Sequence, residues 1–266
     1  MGADSDFLTA LRAVYLENPC QTLPNALWQT LPRLSSFETA VGRSGEQVNR
    51  LEAWDAASIY VYWRREARRP SLLIRRRLET VNLALMHQDF LDSDIVAGFL
   101  GTRQPYFRLL HDHANIAPAA LPEGFYFENV RLDMEQERVA AMIAHAETEH
   151  KPAQGSLTSW MQPAVFEPEL WFWVKDKQIG MPVGAAIGVF DRDVNEVVLE
   201  WVQVIPAYQR RGLGRALVNE LLRRAAERAQ FSTVAGAFPF TERENPGGFF
   251  RGSGFGGQDV WWLLSR

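Results

Sequence analysis

The chain has 266 residues, 47% of them apolar and 23% charged, with 28 basic residues against 32 acidic ones for a formal charge of −4. This is globular composition, with enough chain for one large domain or two modest ones, and the net charge excludes an electrostatic polyanion binder, so nucleic acid is not an expected partner. Cys20 is the single cysteine, which excludes an intramolecular disulfide and a cysteine-rich metal site and suits a reducing compartment.

The opening "DFLTALRAVYLEN" places Phe7, Leu8, Leu11, Val14 and Tyr15 at helical spacing until Pro19 stops the segment. Acidic residues stand where a signal peptide needs basic ones, and Asp6 stands where a myristoylation signal needs Ser or Thr. No apolar run reaches the ~18 residues of a membrane span. The expectation is a cytoplasmic protein with no membrane partner.

Proline-punctuated segments with Leu27, Trp28, Leu31 and Leu34 lead to "SIYVYWRR", a strand by its β-branched and aromatic content. From Arg64 to Arg77 seven of fourteen residues are arginine. Two readings stand: a solvated turn between two strands with "SLLI" pointing inward, or a docking face for an anionic group. "VNLALMHQDF" reads as a buried strand and "DSDIVAGFLG" as a short capped helix. In "YFRLLHDHANI", His111 and His113 would share one face of a strand, but nothing nearby completes a metal site, and no metal is expected.

"NIAPAALPEG" lacks hydrophobic period and is the best linker, which sets a boundary near residue 121. Residues 1–120 are then an α+β accessory domain and 121–266 a second domain. After the linker come the strand "GFYFENV" and a helix with Asp133 as its cap and Val139, Met142, Ile143 and Ala146 on one face, followed by "SLTSWMQPAVFEP", a loop or short helix. "ELWFWVKDKQ", "MPVGAAIGVFDRDVN" and "EVVLEWVQVIP" form an antiparallel meander. The helix "RGLGRALVNELLRRAAERA", the strand "TVAGAF", a short element "ENPGGFFRGSGF" and the last strand "DVWWLLS" complete a layered α+β pattern.

"VIPAYQRRGLGRAL" places bare backbone and positive charge where a strand gives way to a helix. A helix start offers unpaired N–H groups and about half a positive charge, so it attracts phosphate. Gly212 and Gly214 remove side chains that would keep an anion off those N–H groups, and Gln209, Arg210, Arg211 and Arg215 add donors around it. A glycine pair that merely lets the chain turn is the plain alternative. A P-loop lacks its spacing and lysine here, and a dinucleotide site lacks its third glycine, since Val218 stands near that place.

Gln209-Arg210-Arg211-Gly212-Leu213-Gly214 resembles the Arg/Gln-x-x-Gly-x-Gly/Ala signature of the GNAT (GCN5-related) N-acetyltransferases, and the surrounding Val-x-Pro-x-Tyr and following helix are similar too. The resemblance runs over roughly residues 124–266. It implies an acyl-CoA N-acyltransferase fold with a mixed, mostly antiparallel sheet, and acetyl-CoA as cosubstrate. Its pantetheine arm would pair with the backbone of Val202, Gln203 and Val204, and its pyrophosphate would lie on Gln209 to Arg215, Leu213 included. The Val204 N–H would polarise the thioester carbonyl. The implied reaction is direct attack by an amine without an acyl-enzyme, a small molecule being favoured over a protein as acceptor. It needs a base, for which Glu200 is the candidate, read as alternating in phase with Val202 and Val204.

Two positions depart from the family pattern. Phe250 occupies the place of a tyrosine that protonates the leaving thiolate, and Asn245, expected to contact the coenzyme, stands closer to Phe250 in sequence than the family spacing has it. These departures favour the alternative, a non-catalytic acyl-CoA-binding or regulatory module. Residues 1–120 weakly resemble the N-terminal region of uncharacterised clostridial-type family members, with a degenerate second acetyltransferase-like fold as the other option.

Overall fold

A computed structural model describes residues 5–66, 70–91, 94–95, 99–145, 155–237 and 246–266. Its elements run α1 (Ser5–Glu17), α2 (Pro19–Thr22), α3 (Leu27–Thr30), β1 (Glu38–Ser44), β2 (Gln47–Trp54), β3 (Ser58–Arg64), α4 (Leu72–Leu78), β4 (Leu83–His87) and β5 (Thr102–His111). They continue through β6 (Phe125–Asn129), α5 (Leu132–Ala144), α6 (Ser156–Trp160), β7 (Trp171–Asp176), β8 (Pro182–Asp191), β9 (Glu196–Val204), α7 (Leu213–Ala226), β10 (Phe231–Ala237), α8 (Pro246–Arg251) and β11 (Gly256–Ser265). The mixed, mostly antiparallel α+β character expected from the sequence holds.

Contacts divide the chain into two compact units. Met1–Leu109, Ala235–Gly247 and Gly257–Arg266 form the first, and Leu110–Val234 with Gly248–Gly256 the second. The Ala/Pro-rich stretch lies inside the second unit, where Asn219 Nδ2 donates to the Pro118 carbonyl (3.1 Å).

In the first unit the strand order is β1-β2-β3-β4-β11-β5, with β3 and β4 parallel and β4 and β11 antiparallel. Helix α1 buries Phe7, Leu11, Val14 and Tyr15 of the face that its spacing predicts, while Leu8 is half-buried. Arg108 is fully buried, and its guanidinium donates to the carbonyls of Pro19, Leu23 and Asn25 and to the Tyr15 hydroxyl. The turn at Gly45 (φ 61°) closes a β1–β2 hairpin that the sequence reading did not name; the Ser44-Gly45 dipeptide was its signal.

The arginine-rich segment is not a turn between strands. Ser71 caps α4 by accepting the Ile74 N–H (3.3 Å), and only Ile74 of "SLLI" points inward, Leu72 and Leu73 being exposed. Several of its arginines are engaged within the unit: Arg65 pairs with Glu17 (2.8 Å), and Arg77 lies over the Trp54 ring (4.1 Å).

In the second unit the order is β10-β9-β8-β7-β6. The predicted meander is β7-β8-β9, antiparallel throughout, and β10 returns parallel to β9. Helix α7 lies on one face of it, with Leu221 close to Gly188. Helix α5 begins one residue before the expected cap: its cap is Arg131, and Asp133 lies in the first turn. Glu135 does the capping work, accepting the Arg131 N–H (3.0 Å) and the Trp173 indole N–H (3.2 Å). Ala146 of the predicted apolar face lies outside the described residues.

Candidate functional site

Strand β9 and its successor part early. Strand β10 pairs with β9 only over Phe231–Thr233 against Glu196–Val198, although β9 runs on to Val204. On its other side β9 keeps its ladder with β8, and the Ile205 N–H donates to the Val183 carbonyl (2.9 Å). Alternation in that ladder turns the N–H groups of Val202 and Val204 toward the edge away from β8. The Val204 carbonyl accepts from Gln209 Nε2 (3.0 Å), which ties the strand end to the loop beyond it.

That loop ends at Gly212, the cap of α7, in the left-handed region (φ 86°), where any side chain is strained. The first four N–H groups of the helix have no partner within it. Gly214 is in the first turn, and a Cβ there would meet the Phe249 ring at 3.3 Å and Val204 Cγ2 at 4.0 Å. Backbone is thus the surface presented between strand and helix. Leu213 buries its side chain in the core, so it offers the site only its N–H.

Arg210, Arg211 and Arg215 are exposed around this cradle. Arg210 is itself left-handed (φ 62°), and Arg211 bonds the Ala207 carbonyl (3.1 Å) and lies over the Tyr208 ring (4.8 Å). Tyr208 in turn donates to Asp176 (3.1 Å) and stacks edge-on with Phe125 (6.0 Å). Tyr208 enters the sequence reading only as a pattern letter; the structure makes it the anchor of the loop.

Glu200 is the extra residue of a β-bulge. Leu199 pairs with Gly188 and Trp201 with Ile187, so Glu200 is the inserted residue between them. The bulge breaks the expected alternation. Val202 and Val204, opposite Ala186 and Gly184, share the α7 face with Leu199, whereas Glu200 lies with Glu196, Trp201 and Gln203 on the other face. On that face Gln203 Nε2 bonds the Met142 carbonyl of α5 (3.0 Å) and accepts from the Trp201 indole (2.8 Å) through its Oε1.

The Glu200 residue is half-buried, but its carboxyl group is enclosed, and burial pushes it up to about 8. A hydrogen bond from the buried Trp160 of α6 pulls the other way, and the nearby Glu196 carboxylate adds to the rise. Glu196 is fully buried and accepts from the Thr233 hydroxyl.

Of the remaining expected residues, Phe250 packs in α8 against Phe249 (5.2 Å) and Phe255 (5.7 Å), and the ring at the cradle is Phe249. Asn245 lies outside the described residues. His111 and His113 do not share a strand face, because β5 ends at His111 and His113 is left-handed (φ 64°). Both His113 ring nitrogens are engaged, Nε2 with the Ser232 hydroxyl (2.8 Å) and Nδ1 with the Ala229 carbonyl (3.2 Å). Among the described residues no group of His, Cys, Asp and Glu could hold a metal ion, and no helix is long and apolar enough to cross a membrane.

A family model for the GNAT acetyltransferases matches residues 130–255. Solved structures share the fold. An acetyltransferase of the GNAT family from Colwellia psychrerythraea aligns over 99% of this chain and 98% of its own, with 13% identity and a TM-score of 0.62. A GCN5-related N-acetyltransferase from Sphaerobacter thermophilus aligns over 82% and 76%, at 15% identity and 0.58. One from Kribbella flavida aligns over 91% and 93%, at 16% and 0.56. A search of curated protein sequences finds no match. The segment Gln209–Gly214 and the bulged and splayed β9 lie together within residues 130–255, the part of the chain that matches the GNAT acetyltransferase family.

Proposed function

We propose that the protein is an acetyl-CoA-dependent N-acetyltransferase that acts on a small amine by direct transfer. The observation that carries the reading is the continuity of backbone donors that have no partner among the described residues, from the outward N–H groups of Val202 and Val204 to the helix start behind Gly212. An extended amide-containing arm pairs with the strand edge, and a pyrophosphate takes the helix N–H groups, with Arg210, Arg211 and Arg215 around it.

In this reading the amine nitrogen attacks the thioester carbonyl carbon, forming the C–N bond as the C–S bond breaks. The Val204 N–H stabilises the developing oxyanion. The Glu200 carboxylate takes the amine proton, its raised pKa making it a competent base near neutral pH. The bulge serves this role by turning Glu200 to the face covered by α5 and α6, where an acceptor approaches with Trp201 and Gln203 beside it. The departing thiolate is protonated by water, since a phenyl ring at Phe250 cannot donate.

A thiol-release assay over a panel of primary amines tests the reading, with Glu200→Gln as control. Turnover with at least one amine, lost in the variant at unchanged coenzyme affinity, supports it. Saturable acetyl-CoA binding without turnover on any amine supports instead a non-catalytic acyl-CoA-binding module, the reading that Phe250 favours.

A further inference from the structure

The two units carry the same sequence of structural events. In the second, helices precede an antiparallel meander, the last strand carries one extra residue (Glu200), a capped helix follows, and β10 returns parallel to β9 over the stretch before the bulge only. In the first, α1–α3 precede the meander β1-β2-β3. Strand β3 carries one extra residue, Tyr60, between the pairs Ile59–Trp54 and Val61–Ala53. Helix α4 follows, capped at Ser71, and β4 returns parallel to β3 over Ser58–Ile59 only. A meander needs no bulge, and a bulge can fall anywhere along a strand. Its recurrence just past the same parallel pairing makes chance similarity a poor account.

The positions that matter differ. Tyr60 stands where Glu200 stands, toward Phe37 and Arg33 of the preceding segment (5.4 and 5.7 Å). Burial holds its phenol above the ordinary range, so it carries no base at neutral pH. Counting from the caps, Ser71 replaces Gly212 and Leu73 replaces Gly214. The Ser71 hydroxyl takes the Ile74 N–H, one of the donors that an anion would use, Leu73 puts an isobutyl group on the first turn, and Pro70 has no N–H to give. The arginines Arg75–Arg77 are in the last turn, where they complement the carbonyl end of the helix rather than its start.

We propose that the first unit is a second copy of the acyltransferase fold that no longer takes coenzyme A, so that each chain binds one acetyl-CoA, at the cradle of Gly212–Arg215. The inference rests on the coenzyme reading of that cradle, and stoichiometry separates the two. Equilibrium dialysis of the full chain against radiolabelled acetyl-CoA should give one molecule per chain. Gly212→Asp, which keeps a helix-capping residue but sets a carboxylate in the cradle, should reduce binding to background. Tyr60→Phe should leave binding and turnover within about two-fold of the parent, roughly the ordinary effect of a change outside a site. Two molecules per chain, or a molecule retained by a folded Gly212→Asp variant, would overturn the inference that the first unit has lost its coenzyme site, while leaving acetyl-CoA binding intact. No binding by the parent chain would overturn the coenzyme reading itself. If Gly212→Asp fails to fold, the parent stoichiometry still decides between one and two.

Discussion

The ring of Phe249 lies against Gly214, so that a Cβ on the glycine would sit 3.3 Å from its Cζ. Helix α8 and the first turn of α7 therefore meet through a glycine rather than through side chains. Gly214→Leu forces the ring away and fills the approach to the helix N–H groups. The expected outcome is acetyl-CoA affinity weakened by at least ten-fold with the fold retained, read by calorimetry beside circular dichroism.

The proposed role of Glu200 as base sets an expected pH dependence of turnover. A base with a pKa of about 8 is mostly protonated at pH 6, so kcat/KM should rise about ten-fold per pH unit and level off above about 8. Glu200→Gln should abolish that limb and lower the plateau by about 10²-fold or more. A parent-like profile in the variant would remove Glu200 from the mechanism.

Trp160 bears on the same limb. Its hydrogen bond favours the charged form of Glu200, so Trp160→Phe should move the midpoint of the rise to higher pH. Coenzyme affinity should change little. An unmoved midpoint with lowered stability alone would assign Trp160 to packing.

Stability carries a matching signature. The carboxyl of Glu200 is raised from 4.5 to about 8, so the folded chain holds a proton that the unfolded chain releases. The resulting stabilisation is complete below about pH 4.5 and is lost as pH rises to about 8. Glu200→Gln does not titrate, so its melting temperature relative to the parent should climb between pH 5 and pH 8.5, as differential scanning calorimetry can measure.

Arg108 provides a test in the first unit. Its replacement by Met leaves the carbonyls of Pro19, Leu23 and Asn25 buried without their donor, which should cost about 3 kcal/mol or more. Denaturant melts should show it, and acetyl-CoA affinity at permissive temperature should be unaffected.

Much of the second unit was legible because its signals are local. The meander β7-β8-β9 follows from β-branched and aromatic runs separated by turns, and the cradle follows from glycines and arginines at a strand-to-helix junction. The facing of Glu200 was not legible, since one inserted residue shifts the period and nothing in "LEWVQV" marks which residue it is. Phe249 and Trp160 were missed as well, because each reaches the site from an element distant in sequence. In the first unit the arginine run hid a helix: its charges dominated the reading, while the Ser71 cap and the spacing of Ile74 and Leu78 carried the structure.

Hydrogen exchange with and without acetyl-CoA tests the central claim most directly, because the proposed coenzyme site is made of backbone N–H groups. The account predicts slowed exchange in peptides that cover Leu199–Val204 and Gly212–Ala216, with residues 58–78 unchanged. Acetyl-CoA binding that protects the segment 58–78, or that leaves Gly212–Ala216 exchanging as in the free chain, would contradict it.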